Sequence, residues 1–514
     1  MANTEARLRN GAAELLAGGP SLAALSPQSV APREIRVADL FTITYYGTWK
    51  LATNLVTNQH YVLYQCGTPN PMAAGVGGIP ADAKAFSIPL TSLAVPDTTA
   101  LAFVGMGHLK LHDRVVATPT FCTDACGQFI VATCGARADP EPVEGKPELG
   151  DRVKAGVVAA ADAVLVSYPS GNDKEISISA PGTPPAIRPQ WLKFIGAFFN
   201  REGTASLNAD SRMRDYSRKR RAALEVANRN GNKPKVLWIA AQDVYKTWGY
   251  PRQGVQYIIF GAKFKKTYVE DAGGEFLNGH SLLSEYTDRN LVDKELFSAD
   301  NEFKDVAINP NHNAALAKTI LLKMMKMADV IIDESYHIRP VNARSIDVML
   351  AMYKPATNHP TVILPWEVAE FPAFKNQRVY TPGKRLNTDG SGTDWFESAM
   401  VDTDRVLDDF ITAITPAARE GSPTTKWLHR LGVDPIDYTR ISRCQAIKTC
   451  VRRPPLSTCA NHYYKCRHGT LAPGKRISHC PSSSCRIRCQ CCRSGIPQSC
   501  AKTCASADTS KCPR

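Results

Sequence analysis

The feature that most constrains this chain is a short buried strand following a helix end, repeated at two distant places. Ala161-Asp162-Ala163-Val164-Leu165-Val166-Ser167-Tyr168 and Ala328-Asp329-Val330-Ile331-Ile332-Asp333-Glu334-Ser335-Tyr336 each read as a helix end, an apolar strand and a polar strand terminus. VKAGVVAA supplies a small-residue helix before the first strand. ALAKTILLKMMKMA supplies the helix before the second, with its methionines as core filling rather than metal ligands. Strands separated by helices predict mostly parallel sheets covered on both faces, an α/β fold with one lobe around each echo.

The rest of the chain extends that alternation. FTITYYGTWKLATN and YVLYQCGTP, with the turn-forming TNQH between them, predict an opening β-hairpin, and FSIPLTSLAV a further strand. DTTALAFVGMG reads as a capped helix ending in glycine. Trp191, Phe194, Ile195 and Phe198 recur at helical spacing, and the pattern resumes through SRMRDYSRKRRAALEVANRNG to Gly231, predicting a mostly helical connector. Beyond it, KVLWIA, TVILPWEV, VYTP and TDRVLDDFITAITP continue the α/β pattern. The expected units are a leader or targeting segment over 1–38, an N-terminal α/β lobe over 39–185, a connecting helix over 186–232, a C-terminal α/β lobe over 233–440, and a basic Cys-rich tail over 441–514.

The net charge of +14 sits almost wholly in that tail: residues 443–514 hold fourteen Lys and Arg against the single acid Asp508. The remaining body carries +1, so no nucleic-acid partner is expected for it, and the run Arg218 to Arg221 reads as a solvated helix face. Twelve of the sixteen cysteines also lie in the tail, which lacks the paired C-x-x-C knuckles of structural zinc sites. It reads as an irregular, unstructured extension or a wrongly read end of the coding sequence, with a disulfide-stapled module as the alternative for an exported chain. Cys66, Cys122, Cys126 and Cys134 in the body fit either two disulfides or four thiols. An extracellular or cell-surface location is favoured, although the N-terminal apolar stretch is broken by Glu14 and Pro20 and gives no clear signal peptide.

Ligands of open α/β sheets collect beyond the carboxyl ends of the strands. That rule nominates Cys66 and Thr68 in one turn, Asp97, Thr98 and Thr99 at a helix start, Trp248, Tyr250 and Arg252 in the loop WGYPRQG, and Asp333, Glu334 and Tyr336 at a strand end. Asp97 and Thr98 can equally be plain helix caps. No G-x-S-x-G, phosphate-loop, H-E-x-x-H or dinucleotide fingerprint occurs, so neither a catalytic residue nor a cofactor is assigned.

YVLYQCGTP, IPLTSLAVPDTTALAFV, WLKFIGAFFN, YVEDAGG, ADVIIDESY and DWFESAMVDTDRVL together resemble periplasmic-binding-protein-like chains of eukaryotic algae and oomycetes, similar to the helical-backbone (class III) ABC-transporter substrate-binding proteins. The resemblance covers residues 40 to 435. It implies two Rossmann-like lobes joined by one long helix, and a small-molecule or metal-chelate ligand, such as a siderophore, captured in the cleft between them for a membrane transporter or receptor. An α/β enzyme, for instance a hydrolase using Cys66 in the same cleft, is the alternative.

Overall fold

In a computed structural model of the chain, the structure describes residues 33–37, 39–105, 108–134, 138, 161–242, 254–296, 305–335, 345–355, 360–419, 424–438, 443–444, 470–472 and 475–476. The VKAGVVAA helix, Trp248, Tyr250, Arg252, Tyr336 and nearly all of the tail lie outside these residues.

The N-terminal half opens with β1 (Arg33–Val37), β2 (Phe41–Tyr46), β3 (Trp49–Asn54), β4 (Gln59–Gln65) and β5 (Lys84–Ile88), paired in sequence order. β1 falls within the stretch assigned to the leader. The expected hairpin is a three-strand meander, because FTITYYGTWKLATN itself turns at Gly47, whose φ of +51° suits glycine. FSIPLTSLAV likewise divides: Pro89 cannot donate to a ladder, and the chain crosses into a second sheet at β6 (Leu93–Ala94). That sheet continues through α1 (Thr98–Val104), β7 (Val115–Ala117), α2 (Ala125–Cys134), β8 (Ala163–Val166) and β9 (Glu175–Ser177). Its order is β7-β6-β8-β9, all parallel.

The connector is two helices. Trp191, Phe194, Ile195 and Phe198 are fully buried, but α3 stops at Ala197 (Trp191–Ala197), and α4 (Glu202–Asn230) begins after a turn. At 29 residues α4 is about 43 Å long. Its Ala205 and Ala209 sit in the core of the first lobe, while Tyr216 and Ala223 sit in a core of the second. Gly231, at φ +67°, ends it in the left-handed conformation.

The C-terminal half contains β10 (Lys235–Gln242), β11 (Gln256–Ile259), α5 (Lys263–Asp271), β12 (Glu275–Phe276), β13 (Val292–Leu296), β14 (Asp305–Ile308), α6 (Ala314–Met327), β15 (Val330–Asp333), β16 (Val379–Thr381), α7 (Thr403–Ile414) and β17 (His429–Arg430). TVILPWEV forms no strand, since Pro365 opens a short helix there. Within the sheet, β12-β10-β15-β16 are all parallel, and β11, β14, β13 and β17 add antiparallel flanks. Numbered within each half, both parallel sets have the order 2-1-3-4, so the two halves repeat one topology. Among the described residues no helix is long and apolar enough to cross a membrane.

One disulfide among the described residues joins the first lobe to a distant part of the chain. Cys126 is bonded to Cys444, and Cys66 and Cys122 remain thiols.

Candidate functional site

Where the two halves face each other, their strand ends converge on one cavity of about 260 Å³. The first half contributes Thr99 on the helix after its first strand, Tyr168 after its third, and Arg188 in the turn before α3. The second contributes Gln242 at the end of its first strand and Glu334 after its third. Residues beyond the carboxyl ends of the first and third parallel strands of each half thus line the same space, as the strand-end rule requires. Phe260, Phe264 and Tyr268 line it from the α5 side, and Trp395, Phe396 and Met400 from the segment before α7.

The cavity wall is aromatic with a few buried charges. Lys265 Nζ lies 2.7 Å from Glu334 Oε2 and 3.1 Å from the centroid of the Phe260 ring. Trp238 Nε1 donates to the same Glu334 oxygen at 2.8 Å. Burial holds the Lys265 ammonium below its usual range, opposed by Glu334 and Asp305. Burial also pushes the Asp305 carboxyl up to about 7, although Lys265 and the Gly261 N–H, 2.8 Å from its Oδ1, favour the anion.

Arg188 is different. It is 1% exposed, and its guanidinium donates to the Thr183 carbonyl at 3.0 Å and packs 5.4 Å from the Phe264 ring centroid. No carboxylate among the described residues is within ion-pairing distance of it, burial lowers its pKa from the usual range, and its nearest titratable neighbours are the hydroxyls of Tyr268, Tyr216 and Tyr168. Arginine stays charged under these conditions, so a buried positive charge faces the cavity without an acid among the described residues paired to it. Beside it, the buried Tyr268 hydroxyl has no hydrogen-bond partner among the described residues.

Of the residues nominated from sequence, Thr99 and Glu334 line the cavity. Asp97 and Thr98 serve the start of α1: Asp97 Oδ1 accepts from Ala100 N at 2.7 Å, and its Oδ2 accepts from Ser167 N at 2.9 Å, tying β8 to the helix. Asp333 accepts from Tyr353 Oη at 2.7 Å behind the strand end. Cys66 and Thr68 sit in the β4–β5 turn and do not line the cavity. Missed were Arg188, Phe260, Lys265, Tyr268, Trp395 and Phe396. Phe260 directly follows a strand, which was a usable signal; Lys265 in KFKK looks like a solvated lysine.

The far wall is clamped across the halves. Glu397 Oε2 and Oε1 accept from Thr123 N and Asp124 N, each at 2.6 Å, and Thr123 Oγ1 donates to Asp394 Oδ1 at 2.9 Å. Burial, with the Asp394 and Asp124 carboxylates, holds the Glu397 carboxyl well above its usual range. Gly392 is required here, because a Cβ would stand 1.7 Å from the Phe121 carbonyl oxygen.

No family model matches this sequence, and no curated protein sequence matches it. Solved structures similar in outline include a periplasmic heme-binding protein from Pseudomonas aeruginosa, 11% identical with a TM-score of 0.39, covering 67% of this chain and 99% of that one. A periplasmic solute-binding protein from Veillonella parvula is 13% identical with a TM-score of 0.36, covering 64% and 82%. The heme-binding protein HmuT is 14% identical with a TM-score of 0.35, covering 62% and 84%. Similarity this distant carries no argument about fold or ligand; the two-lobed α/β architecture rests on the repeated strand order.

Proposed function

We propose that this chain is a solute-binding protein that captures a small anionic compound with an aromatic or otherwise apolar body between its two lobes. The observation that carries this is Arg188, buried at the cavity without a carboxylate partner among the described residues. A ligand carboxylate, phosphate or phenolate would supply the missing charge and accept from the Tyr268 hydroxyl, while Phe260, Phe264, Trp395 and Phe396 pack its body. Metal chelates and siderophores fit this chemistry when they present an anionic edge. Delivery to a membrane transporter, and membership of the helical-backbone class with its algal and oomycete branch, belong to the same proposal.

The hydrolase alternative placed Cys66 at the cleft, and Cys66 does not line the cavity, which favours capture over turnover. Native mass spectrometry of the purified chain tests the proposal. The expected result is a non-covalent adduct released as a small anion and diminished in Arg188→Gln. Release of a chemically altered compound on incubation, or an adduct indifferent to Arg188→Gln, would contradict it.

A further inference from the structure

On the first lobe, outside the cavity lining, one cluster of metal-ligating side chains stands out among the described residues. His112, Asp124 and Cys126 bring a ring nitrogen, a carboxylate oxygen and a sulfur within 4.8 Å of one another. His112 is 2% exposed, with Nε2 3.0 Å from Asp124 Oδ1, and its Nδ1 is buried without a hydrogen-bond partner among the described residues. The cluster is local in origin: His112 sits in the turn before β7, and Asp124 and Cys126 at the start of α2, where Asp124 Oδ1 also accepts from Gly127 N at 2.8 Å. A fourth donor is brought from far along the chain, because Cys126 Sγ is bonded to Cys444 Sγ.

We propose that this cluster is a redox-gated zinc site. With the Cys126–Cys444 bond intact the two sulfurs hold each other; with it reduced, two thiolates, the His112 imidazole and the Asp124 carboxylate form a tetrahedral Zn²⁺ site. Two sulfurs with one nitrogen and one oxygen are a donor set that suits zinc. Zn–S bonds of about 2.3 Å and Zn–N and Zn–O bonds of about 2.0–2.2 Å place tetrahedral ligand atoms roughly 3.3–3.8 Å apart, so the widest gaps in the cluster must close by about 1 Å while the two sulfurs, once reduced, move apart.

The exchange balances. A dithiol reductant delivers two electrons and two protons, the S–S bond breaks to two thiols, and the reductant closes to its own disulfide. Zn²⁺ then displaces the two thiol protons. A disulfide-class oxidant takes the two electrons back, re-forms the bond and releases the ion. In both states Cys444, which follows the second lobe, stays attached to the first.

The test is alkylation of the full-length chain, reduced anaerobically with a dithiol and treated with iodoacetamide in either Zn²⁺ or EDTA, with each cysteine read by peptide mass spectrometry. Zinc-bound thiolates react slowly, so Zn²⁺ is expected to slow labelling of both Cys126 and Cys444 at least about tenfold. His112→Ala should remove that protection, and its near-ultraviolet circular dichroism reports whether the variant is folded. Equal labelling of the pair in Zn²⁺ and EDTA in the wild-type chain overturns the proposal without recourse to any variant. Protection that survives in folded His112→Ala overturns it as well.

Discussion

Asp162 and Asp329 occupy one structural position in two repeats. Each stands one residue before the third parallel strand of its half, and each carboxylate accepts from the backbone that opens the first strand. Asp162 Oδ2 accepts from Thr91 N at 2.9 Å and Ser92 N at 3.0 Å, just ahead of β6; Asp329 Oδ2 accepts from Lys235 N at 2.8 Å, the first residue of β10. The sequence echo around these aspartates is therefore a register device that joins strands one and three.

The difference between them makes a ranking. Asp162 also accepts from Thr91 Oγ1 at 2.8 Å, so removing it takes away three hydrogen bonds from partly buried donors against one for Asp329. Asp162→Ala is expected to cost about 2–3 kcal/mol and Asp329→Ala about 1–2 kcal/mol, read from urea denaturation. Equal costs, or the reverse order, would count against the account.

Asp305 gives the fold a pH dependence whose sign follows from its surroundings. An unfolded aspartate titrates near about 3.9, whereas burial puts the folded group at about 7. Between those values the folded state holds the extra proton. Stability is therefore fully present below about pH 4, falls as pH rises to about 7, and levels off above it. Asp305→Asn should remove its share of that slope and gain on the order of a few kcal/mol at pH 8, with the residual slope coming from Asp409, which burial raises to about 6, and from Glu397, whose carboxyl is also held up. Because ionised Asp305 faces the cavity, affinity for an anion should also fall as pH passes 7 in the wild type and stay level in the variant. A wild-type stability curve flat from pH 4 to 8 would remove the basis for both expectations.

Gly392 tests the clamp on the far wall. Gly392→Ala must push the segment carrying Trp395 and Phe396 away from Phe121, loosening Glu397 from the Thr123 and Asp124 amides. Hydrogen exchange at those two amides should accelerate at least about tenfold, with little change in the core of the β2–β4 meander. Unchanged exchange would show that the halves are not held together there.

How much of this was legible in the sequence divides along the reach of the interactions. The third strand of each repeat announces itself, since four apolar residues in the first and three in the second follow an Ala-Asp helix end and the pattern is local. The repeated strand order does not, because β12 has two residues and β9 three, and their places depend on partners far away in sequence. The same holds at the cavity. Glu334 and Thr99 follow strands whose ends could be found by pattern. Arg188 lies in the Pro-rich run PPAIRP, where only the docking of a short turn beneath Phe264 and Met400 shows that its charge is buried. The helical spacing of Trp191 to Phe198 was real, but it continued through a turn that periodicity alone does not mark.

The most direct measurement is the affinity of the wild-type chain and of Arg188→Gln for matched pairs of aromatic probes, 4-hydroxybenzoate and its neutral amide, followed by tryptophan fluorescence. With an unneutralised guanidinium at the cavity, the wild type should prefer the anion at least about tenfold, and Arg188→Gln should bind both alike. A wild type that binds the amide as well as the carboxylate, or a variant that keeps the preference, would contradict an anion site built on Arg188.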